Sequence, residues 1–301
     1  MGAGETISEP AQVSALTRMA RPTFLLGLGA QKAGTTWLHD YLSVNGLVQF
    51  GGRKEYHVLD SYFGLEPNAQ LMRFRRLALL MQDYHKNGPN EKLNRDLVQV
   101  LRYSLMGLDL QAYRDHFITL AREHHVVGDI TPSYCGLSAD QLREVRNLLA
   151  PHFRLRVIYL IRDPVERLFS MCKHHSRASW SPGYGRDPLA LYDEALQDGG
   201  LPGGYRSDYG RTLAAIDAAF APADVLIEFY ESLFQECSIR QITNFLGVRF
   251  TDPDFHRRPN ADQSDLRLTP DRLLQGHQQL ASVYAILEAR FPGRYPAVAK
   301  T

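Results

Sequence analysis

Five short apolar runs punctuate the chain, over Thr23–Leu28, Leu47–Phe50, Val126–Asp129, Leu155–Ile161 and Val225–Phe229. Each is brief, shows little polar alternation and is bounded by turn or helix signals, the pattern of strands buried on both faces of a parallel sheet. Between them, helical periodicity covers Thr35–Val44, Ser138–Leu149, Pro164–His175, Tyr209–Phe220, Ser232–Leu246 and Pro270–Ala289. Ser138 with Gln141 makes a capping box, and Thr269 before Pro270 caps the last of these helices. The alternation predicts an α/β fold: a doubly wound, mostly parallel sheet of about five strands, helices on both faces, ligand at the strand carboxyl ends. Residues 1–21 read as a polar N-terminal segment and 22–301 as a single domain with two interruptions. Residues 60–111 form a largely helical insertion, with Arg73, Arg75, Arg76, Tyr84 and Tyr103 as surface groups. Residues 177–207, rich in Gly, Pro and aromatics (Trp180, Tyr184, Tyr205), read as an acceptor-side loop covering a site.

Composition narrows the setting. A chain of 301 residues, 44% hydrophobic, can bury a large core, and a net charge of +1 argues against a general nucleic-acid binder. Cys135, Cys172 and Cys237 are odd in number and widely spaced, which predicts no disulfide framework and a reducing compartment. Residues 1–21 hold no signal-peptide apolar core, and no 18 apolar residues run together, so a cytoplasmic protein without a membrane span is expected. His124-His125 and His174-His175 are adjacent pairs that helical geometry points in different directions, and no spacing predicts a metal site.

The chemistry begins after the first apolar run, at Gly27-Leu28-Gly29-Ala30-Gln31-Lys32-Ala33-Gly34-Thr35-Thr36-Trp37-Leu38. Strand, glycine-rich loop and helix in that order form a P-loop, whose backbone N–H groups and helix dipole hold an anion. Nucleotide triphosphatases place lysine directly after the second glycine. Here Thr35 occupies that position and Lys32 lies inside the loop, an arrangement suited to one phosphate bearing one reactive group. A second anion site is predicted at Arg156–Ser170, where an apolar strand ends at Arg162, Asp163 caps a helix begun by Pro164, and Ser170 lies two turns in. Arg162 and Ser170 then converge on one phosphate. From Arg154 to Arg177 there are six Lys/Arg against two acids.

The pattern G-x-x-K-[AS]-G-T-T-W-L resembles the 5′-phosphosulfate loop of sulfotransferases that use 3′-phosphoadenosine 5′-phosphosulfate (PAPS). The resemblance implies that Lys32, Ala33, Gly34, Thr35 and Thr36 hold the 5′ end and that Arg162 and Ser170 hold the 3′-phosphate. Arg53-Lys54-Glu55-Tyr56-His57-Val58-Leu59-Asp60 is similar to the K-E-x-H-[FY]-F-D segment of glycosaminoglycan-type members. There the glutamate is the catalytic base, which makes Glu55 the expected base, with His57 as the alternative. Lys32 is expected to stabilise the leaving oxygen, and a metal clamp is not obligatory because a sulfuryl group carries less charge than a phosphoryl group. Gly128–Tyr134 is similar to the family's E-K-[TS]-P-x-Y segment, with Asp129-Ile130 in place of Glu-Lys. Trp37 and Tyr230 take the adenine contacts that the cytosolic branch assigns to such residues. Arg257 and Arg258 fall where a donor-closing loop is expected, without the family's K-G pattern. The expected activity is PAPS-dependent transfer of a sulfuryl group to a hydroxyl or amine of a small-molecule or carbohydrate acceptor. The alternatives are a P-loop kinase or ATPase, and a non-catalytic protein binding adenosine bisphosphate.

Overall fold

The computed structural model describes residues 21–256 and 265–295. In chain order the elements are β1 (Thr23–Gly27), α1 (Thr35–Val44), the single turn α2 (Leu59–Tyr62), α3 (Pro67–Asn87), α4 (Glu91–Met106), α5 (Leu110–Leu120) and β2 (Val126–Ile130). There follow α6 (Ala139–Leu149), β3 (Arg154–Ile161), α7 (Pro164–Arg177), α8 (Pro188–Gln197), α9 (Tyr209–Ala219) and β4 (Val225–Phe229). The chain continues through α10 (Tyr230–Leu233), α11 (Glu236–Leu246), α12 (Pro270–Gln279) and α13 (Ala281–Arg290).

The strands lie in the order β2-β1-β3-β4, each neighbouring pair parallel. Uninterrupted apolar sequence is what the two central strands require: Phe24, Leu25 and Leu26 of β1 and Val157 to Ile161 of β3 are essentially inaccessible. The chain leaves β1 for β2 on one side, then crosses back over β1 to β3. Of the helices before β2, α5 covers Phe24 of β1 through Tyr113 and Phe117. The reversal opens a crevice beyond the carboxyl ends of β1 and β3, where such sheets bind ligands. Pairing of the two strands runs on into the loop after β1, because Leu28 N donates to Ile158 O (3.0 Å) and Ala30 N to Leu160 O (2.7 Å).

The sheet has four strands rather than five. In Leu47–Phe50 only Gln49 joins the ladder, as an isolated bridge to Val127. The amides of Leu47 and Val48 are already spent on Leu42 O at the end of α1, and left-handed Gly46 (φ 63°) and Gly51 (φ 64°) turn the chain away on either side. Two expected long helices are each divided, between Leu233 and Glu236 and again at Leu280. The stretch 177–207 is not all loop, because it contains α8. Asp187 accepts from Leu189 N and Pro188 occupies the first turn, a start signal hidden among the surrounding glycines and prolines.

In the insertion, α3 and α4 are joined by Gly88–Asn90 and pack through Leu77, Leu80, Leu93, Leu97 and Val100, a small cluster separate from the main core. Arg75, Arg76 and Tyr84 are exposed as expected, but Arg73 and Tyr103 are not surface groups. Arg73 Nη2 donates to the carbonyls of Tyr56 (2.7 Å) and His57 (2.6 Å). Tyr103 is 3% exposed, with its hydroxyl on Gly51 O. Two carbonyls turned toward one place give the guanidinium charge-assisted hydrogen bonds in place of those it would make to water.

Candidate active site

A cleft of about 860 Å³ opens at the carboxyl ends of β1 and β3. One end, at the loop after β1, is built from backbone. Gly34 begins α1 in a left-handed conformation (φ 90°) and offers no side-chain cap, so the first N–H groups of α1 are left for a ligand. By contrast α6, α7 and α9 are capped by Ser138, Asp163 and Asp208. A Cβ on Gly34 would meet Leu233 Cδ2 at 2.7 Å and the Tyr230 ring at 3.3 Å, so only glycine lets the loop lie against α10. That contact brings Tyr230 under Arg162, whose guanidinium carbon is 4.4 Å from the ring centroid. Arg162 Nη1 donates to Lys32 O (3.2 Å), tying the end of β3 to the loop apex. Lys32 is left-handed (φ 68°), and so is His57 (φ 51°); both line the cleft, and no other non-glycine residue among those described has positive φ. Uncommon backbone of this kind persists where the surroundings over-determine it.

The opposite end is built from side chains. Lys54 Nζ donates to Glu55 Oε1 (2.6 Å), and His57 Nε2 lies 3.3 Å from Glu55 Oε2. His57 Nδ1 meets Asp60 Oδ2 at 2.7 Å, and Ser133 Oγ donates to the same oxygen at 2.5 Å. Asp60 is fully buried. The segment hangs on a second buried carboxylate, Asp129, which accepts from Thr131 Oγ1 (2.7 Å), Tyr134 OH (2.6 Å) and Tyr113 OH (3.0 Å). Thr131 Oγ1 in turn accepts from Tyr56 N (3.0 Å), and Tyr134 OH from Val58 N (3.2 Å).

This network fixes the protonation states. Burial opposes ionisation of Glu55, but hydrogen bonds from His57 and Lys54 and their charges outweigh it and hold the carboxyl at about 2. Burial also opposes the His57 imidazolium, yet hydrogen bonds to Asp60 and Glu55 raise it to about 10. Near neutrality the pair is a carboxylate beside an imidazolium with both ring nitrogens engaged. Asp129 is pushed by burial to about 6 against its three donors.

Of the residues singled out in the sequence, Lys32, Gly34, Thr35, Thr36, Trp37, Glu55, His57, Arg162, Ser170 and Tyr230 line this one cleft. Ala33 is fully buried beneath it. Trp37 is 5% exposed and stacks with Tyr41 (5.6 Å) and Phe255 (5.8 Å), leaving little of its ring to a ligand. Arg257 and Arg258 lie outside the described residues. The sequence reading missed Lys173, His174 and Arg177, which follow Ser170 on one face of α7; counting forward by three and four residues finds them. It also missed Asp60 and Ser133 as partners of His57, and Arg206 as a cleft wall that residues 177–207 bring in with Trp180. Asp60, three residues beyond His57, lay within reach of a local reading; no local signal marks Ser133 or Arg206. Asp163 has both oxygens engaged, by Glu166 N (2.9 Å) and Tyr284 OH (2.7 Å). Among the described residues there is no group of three or more His, Cys, Asp or Glu placed to hold a metal. None of the described helices is long and apolar enough to cross a membrane.

Residues 22–264 match the family model described as "Sulfotransferase domain". The fold is similar to a sulfotransferase from Alicyclobacillus acidocaldarius, with a TM-score of 0.58 and 21% identity over 92% of this chain and 98% of that one. The sulfotransferase domain of the Synechococcus PCC 7002 olefin synthase matches at 0.49 and 15%, over 88% and 96%. A mouse sulfotransferase complexed with PAP matches at 0.46 and 13%, over 94% of each chain. No curated protein matches the sequence.

Proposed function

This chain belongs to the sulfotransferase domain family, and from that premise we propose that it moves a sulfuryl group from PAPS to a hydroxyl or amine of a small-molecule or carbohydrate acceptor. The observation that carries the reading is one cleft holding both an uncapped P-loop with its cation and, facing it, an ionised carboxylate locked in place. The acceptor oxygen or nitrogen attacks sulfur, the bond from sulfur to the bridging oxygen breaks, and that electron pair leaves on the 5′-phosphate of adenosine bisphosphate. The α1 N-terminus and Lys32 stabilise the charge gathering there, while Arg162 and Ser170 hold the 3′-phosphate. The acceptor's proton goes to Glu55. His57 does not compete for it, because its ring is already protonated near neutrality; it orients Glu55, with Asp60 behind it. A carboxyl at about 2 is always ionised but a reluctant acceptor. An incoming sulfonate divides the Lys54 charge between itself and Glu55, which raises the basicity of Glu55 when the donor is bound.

The kinase alternative needs a strand-end carboxylate for Mg²⁺, and Asp163 is committed to capping α7 and to Tyr284. Three free thiols at Cys135, Cys172 and Cys237 support a reducing, cytoplasmic setting. The test is thermal stabilisation by 3′,5′-adenosine bisphosphate without Mg²⁺, exceeding that by ATP, together with transfer of labelled sulfonate from PAPS to an acceptor panel. Greater stabilisation by Mg·ATP would overturn the reading.

A further inference from the structure

The α3–α4 hairpin carries an apolar surface that the reaction does not use. Of the sixteen large hydrophobic side chains exposed among the described residues, ten lie between positions 67 and 108. On α3, Leu71, Phe74, Ala78 and Met81 recur at intervals of three and four; on α4, Val98, Leu101 and Leu105 do the same. The 3.6-residue period aligns each set as a stripe turned away from Leu80 and Val100, which hold the two helices together. Exposed apolar stripes of this extent mark a surface that is covered in use.

Charge decides what covers it. Residues 67–108 carry seven Lys/Arg against three Asp/Glu, whereas the rest of the chain carries 27 against 30. A second copy would bring one cationic hairpin against another, with the exposed Arg75, Arg95 and Arg102 beside the stripes facing their like. An anionic lipid surface takes both features at once: apolar side chains enter below the headgroups, while arginine stems lie along them with the charge at headgroup level. We infer that the α3–α4 hairpin docks the protein, without spanning, on the surface of an anionic membrane. The docking does not depend on the sulfuryl-transfer reading.

Sedimentation of the full chain with vesicles tests it. Vesicles containing phosphatidylglycerol should bind at least about tenfold better than pure phosphatidylcholine, and the advantage should shrink with salt. Leu101→Glu/Leu105→Glu should lose at least about tenfold of that binding at an unchanged melting temperature. If that pair lowers the melting temperature, Leu101→Gln/Leu105→Gln gives the same comparison with a milder change. Arg95→Glu/Arg102→Glu should abolish the preference for the anionic lipid. Equal binding to both vesicles, binding indifferent to these substitutions, or no binding would overturn the inference. So would light scattering that shows a dimer dissociated by Leu101→Glu/Leu105→Glu, which would make a second copy the occupant.

Discussion

The two ends of the cleft are made in different ways. The loop end is backbone: a loop anchored by continued β1–β3 pairing, an uncapped helix start and a glycine wedged against α10. The segment at the other end, residues 53–58, is itself neither helix nor strand. Tyr56 and His57 are held by hydroxyls and an arginine, and the Glu55 carboxylate by a histidine and a lysine. A backbone cradle tolerates side-chain change and loses affinity in steps. A side-chain network is coupled, so removing one member disturbs the protonation of the others.

The largest effect expected is at the base. Glu55→Gln should lower kcat by about 10³–10⁴-fold and leave binding of 3′,5′-adenosine bisphosphate unchanged. Turnover within about tenfold of wild type would remove the proton acceptor from this end of the cleft. Lys32→Ala should cost about 10²–10³ in kcat, because it removes one charge from the leaving oxygen while the helix start remains. Next comes Arg162→Ala, which should weaken the 3′,5′-bisphosphate by about 10–100-fold, with little change for 5′-AMP, in titration calorimetry. Equal losses for both nucleotides would erase the assignment of the two phosphates to separate partners.

Smaller effects separate a coupled network from independent groups. His57 is raised to about 10, so activity that needs its imidazolium should fall as pH rises through that value. Asp60→Asn removes the leading cause of the rise, so the alkaline limb of the pH–rate profile should move down. Lys54→Met removes a group that lowers Glu55, so the acid limb should move up from its position near 2. Fixed limbs in both variants would mean that these groups titrate independently. The smallest effect is on stability. His57 has its ordinary value of 6.5 when unfolded and about 10 when folded, so its contribution is whole below 6.5 and lost as pH climbs to about 10. The fall in melting temperature over that window should flatten in Asp60→Asn.

Much of the loop end could be read from sequence because its determinants are local. Glycine spacing sets the loop, Asp163-Pro164 starts α7, and a strand-end arginine is fixed by the register of β3. The fifth strand failed for a reason that is also local but not visible in hydrophobicity, since two amides of Leu47–Phe50 were already spent on the end of α1. The helix hidden in 177–207 was marked by Asp187-Pro188, a signal drowned in the loop composition around it.

By itself, then, the sequence determined the strand–loop–helix units and the glycine-rich loop, because periodicity, caps and glycine torsions act between residues a few positions apart. Only the tertiary structure decided that Ser133 closes on the His57–Asp60 pair, that Asp129 suspends residues 56–58 through Thr131 and Tyr134, and that Arg206 reaches the cleft. Those pairings join distant positions on the chain. Burial, which no local pattern reveals, opposes a charge on His57, and the hydrogen bonds and charges of Asp60 and Glu55 overcome it to make the ring a fixed cation.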